Sequence, residues 1–158
     1  MNYSNLASKS YKTASISTVS PGKLILMLYD GALKFMHEAE LGFRDEHFIR
    51  RNEIVNNNLI KAQKIINELQ NSLDLSVEGD LPKTLNDLYE YCFNRLEIAN
   101  IQKRPAAVKE AYAVISDLRS AWADMLQKQN SAPQAPKPAA APRPASSPSS
   151  SGSILHSA

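Results

Sequence analysis

The side chains of this sequence with the most direct route to chemistry are three histidines, His37, His47 and His156, and a single cysteine, Cys92. A di-iron site on a helical scaffold needs Glu-x-x-His on two helices and two more inward carboxylates. Lys34 and Arg44 stand three residues before His37 and His47, so neither half of that motif exists. His37-x-x-Glu40 is a reversed pair on a solvated face, and His156 lies near the C-terminus. Cys92 falls on the apolar line of its helix, where a buried, inert thiol is expected rather than a nucleophile. One cysteine excludes an internal disulfide and a thiolate zinc cluster. The five glycines are scattered singly, so no glycine-rich loop cradles phosphate. This reads as a chain that is not an enzyme and takes no metal or cofactor.

Any such side chain must be positioned by an element, and residues 20 to about 128 read as helix after helix. Ser20-Pro21 is a start signal, with Ser as N-cap and Pro at the first helical position. The first helix carries Ile25, Leu28, Ala32, Phe35, Met36 and Ala39 three and four residues apart, and stops at Gly42. Asp45 is placed to cap a second helix with the apolar line Phe48, Ile49, Asn52, Leu59, Ala62, Ile66, Leu69 and Leu73. Gly79-Asp80 is a break, and Pro82 fits only the first turn of the next helix. That third helix repeats as Leu81, Leu85, Leu88, Cys92, Leu96 and Ala99, ending near Asn100. Pro105 opens the fourth, with Val108, Ala111, Ile115, Leu118, Trp122 and Met125 inward. No segment alternates with period two. The expectation is an all-α fold, an antiparallel four-helix bundle, with Leu28, Phe35, Leu69, Leu96 and Trp122 in its core.

Composition divides the 158 residues into an N-terminal arm (1–19), a bundle (20–128) and a tail (129–158). Six of the nine prolines fall in the last 28 residues among Ala and Ser, a composition that predicts a disordered tail with polyproline II character. All 16 acidic residues precede residue 131, and of the 18 basic ones only Lys137 and Arg143 lie beyond it. The body is therefore neutral, which argues against a nucleic-acid partner, since that needs a concentrated basic face. No apolar run approaches the ~20 residues of a membrane helix, so no membrane insertion is expected and the chain reads as soluble and cytoplasmic.

Two features exceed what a plain bundle requires. The arm sets Tyr3, Leu6, Tyr11, Ile16 and Val19 in a polar background. It is either a loose, fraying arm or one that lies in a groove of its own bundle and can be displaced. The helices also carry apolar residues beyond one stripe: Leu24, Leu26, Met27, Tyr29 and Leu33 in the first, and Tyr89, Tyr91 and Phe93 around Cys92 in the third. Such a surplus marks a second contact surface, either a groove for an amphipathic partner helix or a homodimer face. Asn56, Asn57 and Asn58 interrupt the second helix where Asn has poor propensity. Their amides could satisfy an extended ligand's backbone, or form a solvated turn with a mild helix cost.

The ordered set of motifs resembles the flagellar secretion chaperone family FliS over residues 3–125. The resemblance is carried by Tyr11, Thr18-Val19-Ser20-Pro21, Leu26-Met27-Leu28-Tyr29-Asp30-Gly31, Phe35, Asn56-x-Asn58-Leu59-Ile60-Lys61-Ala62-Gln63, Ile65-Ile66 and Glu68-Leu69. It continues through Leu88-Tyr89-x-Tyr91, Arg95-Leu96, Ala99-Asn100-Ile101 and Leu118-Arg119-x-Ala121-Trp122. Departures fall at Ile98 and Ser120, where the family often has an acidic residue, and at Pro82 and the Pro/Ala/Ser tail. The resemblance implies a helical bundle that binds the disordered C-terminal segment of flagellin, prevents its polymerisation, and keeps it competent for type III export. It also implies links to the export gate and other flagellar regulators. On this footing Tyr11 and Ile16 are the arm's anchors, and Tyr29, Asn56, Asn58, Tyr89 and Arg95 are groove residues, with Tyr29 and Tyr89 also placed where core residues would be. The rival reading is a homodimeric scaffold or regulatory protein without an export client.

Overall fold

A computed structural model describes residues 20–131 of the chain. Four α-helices succeed one another: α1 Pro21–Gly42, α2 Phe48–Asn71, α3 Leu81–Ile101 and α4 Pro105–Ser131. There is no strand among the described residues. By backbone contacts the chain divides into residues 1–126 and 127–158, and the described part of the second unit is the helical end, residues 127–131.

Each boundary has a local cause. Ser20 is extended and its side chain accepts the Lys23 N–H at 3.2 Å, with Pro21 opening the helix. Gly79 has φ 113°, a left-handed conformation, and Pro82 sits in the first turn of α3. Asp45 does not cap α2 as the sequence suggested: His47 is the N-cap residue and makes no side-chain cap. Asp45 instead accepts the His47 N–H at 2.8 Å and pairs with Arg50, pinning the turn ahead of the helix. The Arg50 hydrogen bond, and then that of the His47 amide, holds its carboxyl below the usual range.

The core is a heptad seam from each helix. Tyr29, Ala32, Met36 and Ala39 of α1 are buried together with Val55, Leu59, Ala62, Ile66 and Leu69 of α2. Tyr89, Cys92, Leu96 and Ala99 of α3 and Ala107, Val108, Ala111 and Ile115 of α4 complete it. In α1, α2 and α3 alternating spacings of three and four give a narrow stripe, the pattern of knobs-into-holes packing, and α4 adds the adjacent pair Ala107 and Val108 at its start. The bundle closes antiparallel in sequence order. Gly42 lies against Ile54 and Gly31 against Ile65, Asn56 bonds Asn100, Cys92 Sγ approaches Ala111 O, and Trp122 reaches Gly22.

The core is narrower than the apolar lines in the sequence. Leu69 and Leu96 are buried, but Leu28, Phe35 and Trp122 are only partly buried against the seam. Phe48, Ile49 and Leu81 are 66%, 73% and 69% exposed, and Met125 is also exposed. These misplacements fall mainly at helix ends, where the repeat continues past its partners.

Candidate functional site

Tyr11 and Ile16 lie outside the described residues. Tyr29 and Tyr89 face each other diagonally across the bundle, each 2% exposed. Their ring centroids are 6.4 Å apart and their hydroxyls 2.5 Å apart. Both belong to the heptad seam, so in this conformation they are core residues and present no groove surface. Burial pushes both phenols above their ordinary range, so the shared hydrogen bond joins two neutral hydroxyls. Cys92 is buried one turn along α3, and burial pushes its thiol up to about 12.

The other three candidates lie on the surface of the bundle or at its helix seams. Asn58 Nδ2 donates to Ile54 O of its own helix at 2.8 Å. Arg95 pairs with Glu110 of α4 at 2.5 Å, while its Nε is buried with no hydrogen-bond partner among the described residues. Asn56 Oδ1 accepts from Asn100 Nδ2 at 2.8 Å. That last bond is one rung of a ladder along the α2–α3 seam. Gln63 Nε2 donates to Phe93 O and Gln70 Nε2 to Asn86 Oδ1, each at 3.3 Å. The rungs repeat every heptad on both helices, so part-buried amides line the seam where a plain bundle would place long charged side chains.

Exposed apolar side chains gather at the two ends of the bundle. At one end α1 stops at Gly42, level with Ile54 and Val55, and α3 stops at Ile101 just past Asn100. Helix α2 begins six residues earlier than Ile54, so about 9 Å of it projects beyond both neighbours. That projection carries Phe48 and Ile49, with Leu41 and the 74% exposed Ile101 at the same end. Arg51 lies 5.5 Å from the Phe48 ring centroid, a cation–π contact. Two open hollows adjoin the projection. One, of about 360 Å³, is lined by Glu38, Leu41, Gly42, Arg44, Asp45 and Ile54; the other, of about 340 Å³, by Asn52, Glu53, Asn56, Asn57 and Lys103. Leu75, Val77 and Leu81 are exposed in and beside the opposite α2–α3 connection.

Asn52, Asn100 and Lys103 are absent from the site residues named from the sequence. Asn100 stood inside a motif, Ala99-Asn100-Ile101, but its pairing across helices is a tertiary fact. Lys103 lies just past α3 with φ 51°, at a helix-end position usually given to glycine, and nothing in its sequence neighbourhood signals that. No group of three or more His, Cys, Asp or Glu able to hold a metal occurs among the described residues, and no described helix is long and apolar enough to cross a membrane.

Comparison with known proteins places these features in context. The family described as Flagellar protein FliS matches residues 3–129. The chain is 37% identical over 119 residues to the flagellar secretion chaperone FliS of Bacillus subtilis (strain 168), covering 75% of this chain and 85% of that protein. It is 31% identical over 121 residues to the FliS chaperone of Campylobacter jejuni, covering 77% and 91% of the two. It is 31% identical over 116 residues to that of Salmonella typhimurium, covering 73% and 83%.

Proposed function

We propose that this chain, which belongs to the FliS family of flagellar secretion chaperones, binds the disordered C-terminal segment of flagellin in the cytoplasm and holds it unpolymerised for type III export. The observation that carries the reading is the apolar surface the bundle leaves uncovered. Phe48, Ile49, Leu81 and Ile101 are 66% to 74% exposed. A neutral body offers little electrostatic attraction, so the drive must come from covering this surface. Coupled folding and binding of this kind typically buries ~1,000–3,000 Å² and costs ~2–5 kcal/mol in ordering the client. Among the groove residues the part-buried Asn56, Asn58 and Arg95 touch the client directly in this reading, which their incomplete burial supports. Tyr29 and Tyr89 act beneath the surface by fixing the α1–α3 register.

We propose further that the arm bearing Tyr11 and Ile16 competes with the client for part of the groove, so the client binds in proportion to the uncovered fraction. Deleting residues 1–17 should then raise client affinity; unchanged or lower affinity would count against this role. An export-gate component is the second partner, receiving the loaded complex.

The test is a calorimetric titration of the full chain with a peptide of the flagellin C-terminal segment, tracked in parallel by circular dichroism. One-to-one binding, a gain in helicity and a negative heat-capacity change are expected. A protein that ignores both the peptide and full-length flagellin has another use. The same exposed apolar ends would then favour a homodimer, read as a mass twice that of the chain and unaffected by flagellin.

A further inference from the structure

The hollow beside the α2 projection is lined by Asn52, Glu53, Asn56, Asn57 and Lys103, and its hydrogen bonds have a direction. Lys103 Nζ donates to Asn100 Oδ1 at 2.9 Å. An ammonium group only donates, so it fixes which way the Asn100 amide points. Asn100 must then offer its Nδ2, which donates to Asn56 Oδ1 at 2.8 Å. Asn56 can only accept there, and its two N–H donors are left without a partner among the described residues. The three-residue relay thus sets a donor face on α2 from a charge held at the end of α3.

The cost of placing that charge is visible in the backbone. Arg104 N donates to Ala99 O at 3.0 Å, the closing bond of a Schellman motif, whose left-handed position favours glycine. Lys103 occupies that position with φ 51°, a conformation uncommon for a residue with a Cβ. Glycine there would relieve the backbone but would lose the ammonium.

The surroundings indicate the ligand. Ile49 and Ile60 are both exposed, and eleven residues make about three turns, so they flank the hollow above and below on one face of α2. Between them lie donors from Asn56 and Lys103, an acceptor from Glu53, and the amides of Asn52 and Asn57. Donors and acceptors side by side, with apolar contacts at either end, match a polypeptide main chain better than an ion or a single side chain. We propose that this hollow is a main-chain docking site: it takes carbonyl groups of the client segment on the Asn56 and Lys103 donors, while the client's apolar side chains rest on Ile49 and Ile60. This rests on the chaperone reading above and adds to it a sequence-independent grip.

Two variants of the full chain, titrated with the flagellin C-terminal peptide, test it. In Asn56→Asp the carboxylate still accepts from Asn100, so the relay and fold persist, but the outward donors become an acceptor. Affinity should fall about ten-fold, the scale of losing one or two buried hydrogen bonds, with the melting temperature unchanged. In Lys103→Gly the melting temperature should hold or rise while affinity falls. An N56D protein that binds like wild type overturns this inference and leaves the chaperone reading standing. Affinity losses that merely track lowered melting temperatures overturn it as well. A wild-type protein that ignores the peptide overturns both.

Discussion

The Tyr29–Tyr89 pair shows how one hydrogen bond can decide the pairing of two helices. Both hydroxyls are buried where only apolar residues otherwise line the seam, and each is the other's partner. Removing one leaves a buried hydroxyl unsatisfied, a penalty of about 1–3 kcal/mol, whereas removing both does not. Tyr29→Phe and Tyr89→Phe should each lower stability by that amount in urea unfolding, and the double variant should lie closer to wild type than either. Additive losses would show that the pair contributes nothing beyond packing. The presence of both tyrosines in the motifs was legible from the sequence. Their mutual contact was not, because 60 residues separate them and spacing carries no information across that distance.

At the scale of the helices, α1 and α2 meet through small residues. A Cβ on Gly42 would stand 2.5 Å from Ile54 Cγ2 and 3.2 Å from Ile54 Cβ, part of a β-branched side chain with little room to turn. A Cβ on Gly31 would meet only the tip of Ile65 at 3.1 Å, which can rotate away. Gly42→Ala should therefore destabilise by roughly 1–3 kcal/mol as overpacking. Gly31→Ala should be neutral or gain up to about 1 kcal/mol from helix propensity. Thermal melts of the two variants check the contrast; equal shifts would mean the helices slide apart freely at Gly42. The sequence located these glycines but treated the first only as a stop signal. Which helix lies against each glycine depends on the register of packing.

At the scale of the whole bundle, α4 is fastened along the first half of α1. Trp122 Nε1 donates to Gly22 O at 2.7 Å, and Arg119 pairs with Asp30 at 2.8 Å. Full burial of Trp122, as the apolar line suggested, would make its loss cost about 3–5 kcal/mol. The indole is only partly buried, so Trp122→Ala should cost about 1–3 kcal/mol and leave a folded, less stable bundle. A variant that fails to fold would show that the α1–α4 contact is needed for the seam to form at all.

The helices, the Ser20 cap of α1, the first-turn place of Pro82, the all-α class and the family were determined by the sequence alone, because periodicity and capping act within a few residues of one another. The tertiary structure decided which apolar residues are core. Phe48, Ile49 and Leu81 continue their helices' repeat, yet they are exposed at the ends of the bundle, since burial needs a neighbour and the neighbours stop short. It also decided that Tyr29 and Tyr89 are interior while Asn56 is paired across a seam. The direction of the Lys103–Asn100–Asn56 relay emerges only when the end of one helix is set beside the start of another. Local interactions determine what each element is; contacts between distant segments determine which of its faces remains for a partner.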